Sequence, residues 1–329
     1  MNKTQKTPYP TAYLQLLSAL ISLLLTLPFF QLQAQDSSLK KLSVLTSFLP
    51  IQSHASAIAG DYATVEQLLD KEAGPHDFQL TPNAVRKLAD ADVFIINGAG
   101  IEDWLDELTQ KAGNKDLVII NTSKGVTLLD NPDEMEIAGN SSAHDHDHHH
   151  HGHDHGHGDG KNPHTWLDPV IALKQAEIIS QALQKADPTN ASNYKANANS
   201  YMSELKKLDA EFKSTLDPLP NKNLVTFHEA FPYLADRYGL NYVGAISEFP
   251  EKDPTPKRLA ALVDKIKKQK VGVLFCEEGY APELLKKIAE QTGAKVSRLN
   301  TLEVGEGDAT AYLRLMRGNL SALKTAFAK

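Results

Sequence analysis

The sequence predicts an α/β fold of two lobes, each with a four-stranded parallel sheet flanked by helices, joined by one long helix. Three observations lead there. From Leu42 onward, short β-branched or apolar runs alternate with amphipathic stretches, the mark of βα units around parallel sheets. Those runs fall into two groups of four. Between the groups, Asn190 to Leu216 contains no Gly or Pro and repeats Tyr194, Tyr201, Leu205, Leu208 and Phe212, the pattern of a single long helix.

Taken in order, strands are expected at Leu42–Thr46, Thr64–Leu68, Val93–Asn97 and Leu117–Asn121, then at Leu224–Phe227, Tyr242–Ile246, Val271–Phe275 and Lys295–Leu299. A first helix is expected over Ile51–Ala59. Thr81-Pro82, Asp168-Pro169 and Thr255-Pro256 each place an N-cap side chain before a proline suited to the first helical turn. Asn131 to Lys161 has almost no hydrophobic periodicity and is filled with His, Asp, Gly and Ser. A mobile loop is expected there, because burial cannot offset roughly 1–2 kcal/mol per residue of backbone entropy.

The first residues read as a secretory leader over 1–34: Lys3 and Lys6, a largely apolar stretch from Leu14 to Leu27, then small Ala34 before Gln35. The apolar run is shorter than the roughly 20 residues a membrane span needs, and Gln15, Ser18, Ser22 and Thr26 dilute it. No cysteine near that point suggests lipid attachment. A periplasmic location is therefore expected. The remainder divides into a lobe over 36–187 carrying the His-rich loop 131–161, a linking helix over 188–218 and a second lobe over 219–329.

Loss of Lys3 and Lys6 would take the formal charge from -7 to -9, which argues against a nucleic-acid partner. Cys276 is the single cysteine, so no intrachain disulfide forms and stability must come from packing.

The 13 histidines separate into two populations. One is dense: His144, His146, His148, His149, His150, His151, His153, His155 and His157. These supply loose, auxiliary metal affinity, released on acidification as the imidazoles recharge near their usual pKa of about 6.5. The other is four singles, His54, His76, His164 and His228. His76 lies beyond the second strand in Gly74-Pro75-His76-Asp77-Phe78, His164 beyond the fourth in Asn162-Pro163-His164, and His228 beyond the fifth in Phe227-His228-Glu229. Ligands of open parallel sheets collect at strand C-termini, so these three converge across a cleft. Three imidazoles suit zinc and leave a fourth position open. Phe78, Trp166 and Phe227 would keep the site dry, and Pro75 and Pro163 restrict two of the loops. His54 falls within the first helix and reads as structural or a distant neighbour.

An ordered series of motifs resembles the periplasmic zinc-binding solute-binding proteins of bacterial ABC importers, the ZnuA-like group within the metal-binding lipoproteins and adhesins. It runs through Gly74 to Phe78 with Leu80-Thr81-Pro82, Asn97-Gly98 with Ile101-Glu102 and Trp104, and Asn162 through Pro169. It continues in Phe227 through Phe231 with Tyr238-Gly239, in Gly244 through Ser247, and in Gly307-Asp308 before Tyr312 and Met316. The resemblance implies a zinc carrier that delivers Zn2+ to a permease driven by a separate ATPase. It implies His76, His164 and His228 as ligands, with no catalytic cofactor. A monomer is expected. Manganese-binding relatives carry a carboxylate where His228 stands, and nitrogen donors favour zinc. Where many relatives carry an aspartate after the last strand, this chain reads Leu299-Asn300-Thr301, so Asn300 is weighed as a fourth donor, or water instead. Glu277 is weighed as a ligand or as a partner of one.

Two other classes compete. A zinc hydrolase would also use three histidines and water, with Glu229 or Glu277 as base, but Pro232 stands where HExxH needs its second histidine. A metal buffer or adhesin would rely on the histidine run and lose its binding with Ser141 to Gly160. The absence of a GxxxxGK phosphate loop assigns any ATPase to another chain.

Overall fold

The computed structural model describes residues 40–131, 160–247, 254–277 and 282–328. The expected leader and the histidines from His144 to His157 lie outside the described residues. Lys41–Lys329 clusters as one compact unit.

The first sheet contains β1 (Leu42–Thr46), β2 (Ala63–Gln67), β3 (Val93–Ile96) and β4 (Val118–Asn121), in the order β2-β1-β3-β4. The second contains β5 (Asn223–Thr226), β6 (Asn241–Ala245), β7 (Val273–Cys276) and β8 (Lys295–Arg298), in the order β6-β5-β7-β8. All pairings are parallel, and both sheets repeat one topology. Central strands β3 (VFII) and β7 (VLFC) are buried throughout, as apolar runs covered on both faces must be. The order reverses between β1 and β3, and again between β5 and β7, which opens a crevice at the C-terminal edge of each sheet.

The helices are α1 (Leu49–Ala59), α2 (Pro82–Asp90), α3 (Leu105–Ala112), α4 (Pro169–Ala186), α5 (Ala191–Leu216), α6 (Pro232–Tyr238), α7 (Pro256–Lys268), α8 (Pro282–Thr292) and α9 (Ala311–Phe327). The three proposed caps are made: Thr81 Oγ1 accepts from Ala84 N, Asp168 Oδ1 from Val170 N, and Thr255 Oγ1 from Arg258 N. Helix α1 begins two residues before the expected Ile51, because Pro50 occupies its first turn and needs no N–H partner there. Helix α5 has 26 residues and is about 39 Å long at 1.5 Å per residue. Its buried positions Tyr194, Ala198, Tyr201, Leu205, Leu208, Phe212 and Leu216 recur every three or four residues, which places them on one face.

That face belongs to a core that runs through both halves of the chain. It includes Phe48 and Ile51 of the first lobe, Trp166, the α5 stripe, Phe231 and Leu234 of the second half, and Tyr312 and Met316 of α9. Helix α9 follows β8 yet returns to α1 and α5: Tyr312 N donates to Ser53 Oγ at 3.0 Å, and Arg317 pairs with Glu211 at 2.9 Å. A smaller cluster, including Ile246, Leu262, Leu274 and Leu285, packs α7 and α8 against the second sheet. Among the described residues, no helix is long and apolar enough to cross a membrane.

Candidate metal centre

Each of the three histidines emerges from a loop that the adjacent sequence makes stiff. His76 sits in a short 3-10 turn, Pro75–Asp77, held by the Trp104 Nε1–H bond to Pro75 O at 3.4 Å. The Phe78 and Trp104 rings pack 4.4 Å apart over the same segment. His164 precedes the 3-10 turn Thr165–Leu167. Its backbone flanks are fixed by Asn97, whose Nδ2 donates to Pro163 O at 3.1 Å and whose Oδ1 accepts from Thr165 Oγ1 at 3.0 Å. The Asn97 turn is itself organised by Glu102, which accepts from the Asn97 and Gly98 N–H groups, both at 2.8 Å. Burial pushes the Glu102 carboxyl up to about 7 against those same hydrogen bonds. His228 lies two residues beyond the end of β5, and Thr226 Oγ1 donates to its carbonyl at 2.7 Å.

The ring nitrogens are assigned by what the Nδ1 atoms touch. His164 Nδ1–H donates to Asn162 Oδ1 at 3.0 Å. His228 Nδ1–H donates to Glu277 Oε2, while Glu277 Oε1 accepts the His228 backbone N–H at 3.1 Å. Both contacts leave Nε2 facing inward, where it offers its lone pair once the ring is neutral, the arrangement in which an outer partner orients an imidazole donor. Asn162 also ties the two loops together: its Nδ2 donates to Glu229 O at 2.7 Å, and its carbonyl accepts from Tyr233 Oη at 2.7 Å.

The structure brings His76, His164 and His228 together and adds the Glu303 carboxylate to them, a group that could hold a metal ion. Nε2 of His164 lies 3.3 Å from Nε2 of both His76 and His228. Glu303 Oε1 lies 3.1 Å from His76 Nε2, 3.1 Å from His164 Nε2 and 3.4 Å from His228 Nε2. A tetrahedron with bonds of about 2.0–2.1 Å has edges of about 3.3 Å. Five of the six edges therefore match a zinc-sized polyhedron, and every ligand atom lies within 4.8 Å of the others. Thr301 Oγ1 donates to Glu303 Oε2 at 3.0 Å, which leaves Oε1 as the inward-facing oxygen. All four side chains are at most 4% exposed.

Two carboxylates, Glu303 and Glu277, bear on three imidazoles in this dry space. Burial would raise the Glu303 carboxyl, yet His228, His164 and His76 hold it well below the usual carboxylate range. Burial depresses His164 to about 3, so that ring is neutral at pH 7. Burial also opposes charge on His228, but Glu277 and Glu303 outweigh it and raise the ring well above 6.5. With all three rings neutral, an ionised Glu303 leaves the four grouped side chains with one negative charge, opposite in sign to a cation, while burial pushes the Glu277 carboxyl behind His228 upward.

The other sequence candidates fall elsewhere. Asn300 does not join the cluster: its Oδ1 accepts from Leu302 N at 2.7 Å, and its backbone N–H and C=O bind the Asn319 side chain, so its amide shapes the turn. The carboxylate that joins the three imidazoles is that of Glu303, three residues further on. A signal was present in the sequence, since Glu303 also follows a strand C-terminus, but the left-handed Leu302 (φ 62°) that redirects the loop leaves no periodic trace. Glu277 stands behind His228, away from the four donor atoms. His54 is buried in the core with Nδ1 2.8 Å from Tyr201 Oη, and burial lowers its pKa to about 3. Trp166 flanks His164 with ring centroids 5.1 Å apart.

A family model described as zinc-uptake complex component A, periplasmic, matches residues 44–326. The chain is 34% identical over 293 residues to the high-affinity zinc uptake system protein ZnuA of Bacillus subtilis (strain 168), covering 88% of each. It is 34% identical over 313 residues to the zinc-binding lipoprotein AdcA of Streptococcus pneumoniae (strain ATCC BAA-255 / R6), covering 94% of this chain but 60% of the relative. The crystal structure of the Zn(II)-bound ZnuA-like domain of S. pneumoniae AdcA superposes with a TM-score of 0.69 at 30% identity, covering 88% of this chain and all of that domain.

Proposed function

The chain belongs to the family of periplasmic zinc-uptake component A proteins, and from that membership we propose that His76, His164, His228 and Glu303 hold its zinc. The protein is a solute-binding protein for zinc import and not an enzyme. Zinc is its cargo. The observation that carries the ligand set is the five donor separations of 3.1–3.4 Å, at the edge length of a tetrahedral zinc site.

The same geometry argues against hydrolysis. A catalytic zinc keeps one position for water, and here a carboxylate fills the fourth. Glu229, a candidate base, is ion-paired with Arg258 at 2.9 Å, and Glu277 is engaged by His228. Coordination is the only chemistry required: the open protein exchanges the water shell of Zn2+ for three imidazoles and one carboxylate, then yields the ion to a permease whose ATPase is a separate chain. Export through a leader over residues 1–34 belongs to the same reading, as does weak auxiliary binding by the histidines from His144 to His157.

Zinc affinity is expected to rise with pH. In the metal-free protein His228 carries a proton at pH 7, and zinc requires that Nε2 bare, so binding releases about one proton. Because the folded-state pKa is raised, protonation of His228 stabilises the metal-free fold fully below about 6.5, and that contribution is lost as pH climbs through the raised value. Stabilisation by zinc should therefore shrink on acidification from pH 8 to 6. Calorimetry in buffers of different ionisation enthalpy counts the protons; zero release at pH 7 would contradict this assignment.

Glu277→Gln keeps a hydrogen-bond acceptor for His228 but removes its charge. Zinc affinity is expected to fall about 10–100-fold, the range for partners of metal-bound histidines. Competition against a chromophoric chelator measures it, and unchanged affinity would remove Glu277 from the site.

A further inference from the structure

Glu303 is encoded after β8, yet most of its loop is held by the first lobe. Gly305 N donates to Lys71 O at 2.8 Å. Gln67, at the end of β2, donates from Nε2 to Gly305 O at 3.0 Å and to Leu69 O at 2.9 Å. Gly307 N donates to Oε1 of Gln52, a largely buried residue of α1, at 2.7 Å. Trp166 Nε1 donates to Thr301 O at 2.8 Å.

The fit is tight at two glycines. A Cβ on Gly307 would lie 2.6 Å from Gln52 Oε1 and 2.8 Å from Leu49 O, and one on Gly305 would lie 2.8 Å from Leu49 Cδ1. Gly305 also has φ +124°, and Leu302 has φ 62°, conformations that L side chains rarely adopt. Such a backbone persists only where its surroundings over-determine it, and Gln52 and Gln67 supply two of those restraints.

Building on the four-donor reading above, we propose that Gln52 and Gln67 are positioning residues that set metal selectivity by fixing the Glu303 carboxylate at one monodentate distance. A carboxylate held this way completes a small tetrahedron, the geometry zinc accepts. Manganese favours six oxygen-rich positions, and needs room for further oxygens. When the loop relaxes, Glu303 retreats or turns to present both oxygens, and water enters. Zinc then loses its advantage.

The test uses protein in which the nine histidines from His144 to His157 are replaced by serine, so that one class of site is read. Zinc and manganese affinities, the cobalt(II) absorption spectrum and metal-free melting are compared for wild type, Gln52→Ala, Gln67→Ala, the double variant, Gln52→Glu and Glu303→Ala. In the double variant the zinc-to-manganese affinity ratio should fall at least tenfold and the tetrahedral cobalt bands should lose intensity. Each single variant should move the same way. Gln52→Glu, which keeps the acceptor for Gly307 N, should retain the wild-type ratio. A wild-type ratio in folded Gln52→Ala, Gln67→Ala and double variants, or equal losses for both metals, overturns the positioning role while Glu303→Ala still weakens zinc. If Glu303→Ala leaves zinc affinity unchanged, the four-donor reading itself fails.

Discussion

Replacing His164 with alanine is expected to weaken zinc binding by more than about 100-fold, beyond the range typical of residues that merely orient a ligand. Its Nε2 lies within 3.3 Å of three other donor atoms, those of His76, His228 and Glu303. Losing it opens the polyhedron on three edges at once. The loss also orphans Asn162 Oδ1 from the ring and leaves Glu303 with fewer partners in a buried setting, where an uncompensated carboxylate is costly. Chelator competition with the nine-serine protein gives the affinity, and circular dichroism of the metal-free protein confirms folding. Affinity within tenfold of wild type would exclude His164 as a donor.

Trp166→Ala is expected to cost about 3–5 kcal/mol of stability, as large aromatic truncations in cores do. Trp166 is fully buried, meets Phe48 edge-on with centroids 4.9 Å apart, and donates its indole N–H to Thr301 O. Truncation thus removes packing at the junction of α1, the His164 turn and the Glu303 loop, and strips a donor from the last of these. Zinc affinity should fall together with stability. Trp166→Phe should recover part of the packing but not the Thr301 bond, so its zinc deficit should exceed what its stability loss suggests. Denaturant melts of metal-free protein measure the first effect, and a loss under about 1 kcal/mol for Trp166→Ala would contradict the packing.

Much of the fold was legible because it rests on local patterns. Apolar β3 and β7, the three Thr-Pro or Asp-Pro helix starts, and the α5 stripe each depend on residues close in sequence. Errors at element ends have local causes too: Val271 and Gly272 resemble β7, but the strand begins at Val273, after Lys270 takes φ 53° and the chain turns. The three histidine positions could be read because each follows a strand, and parallel sheets gather such loops at one edge.

The proposed fourth donor was not legible in the same way. Reading straight on from β8 reaches Asn300, whose amide is consumed in shaping the turn, while Glu303 is delivered by a left-handed residue and by glycines fitted against Leu49 and Gln52. Those contacts join positions 238 and 255 residues apart, as does the Tyr312–Ser53 bond across 259. No local periodicity encodes them. They arise only when α1, α5 and α9 share one core.

The most direct measurement is an anomalous difference map, collected at the zinc absorption edge from crystals of the zinc-loaded protein. One strong peak should lie about 2.0–2.1 Å from Nε2 of His76, His164 and His228 and from Oε1 of Glu303. A principal peak bound by other residues, or one that leaves His228 or Glu303 beyond coordinating distance, would contradict the proposed site.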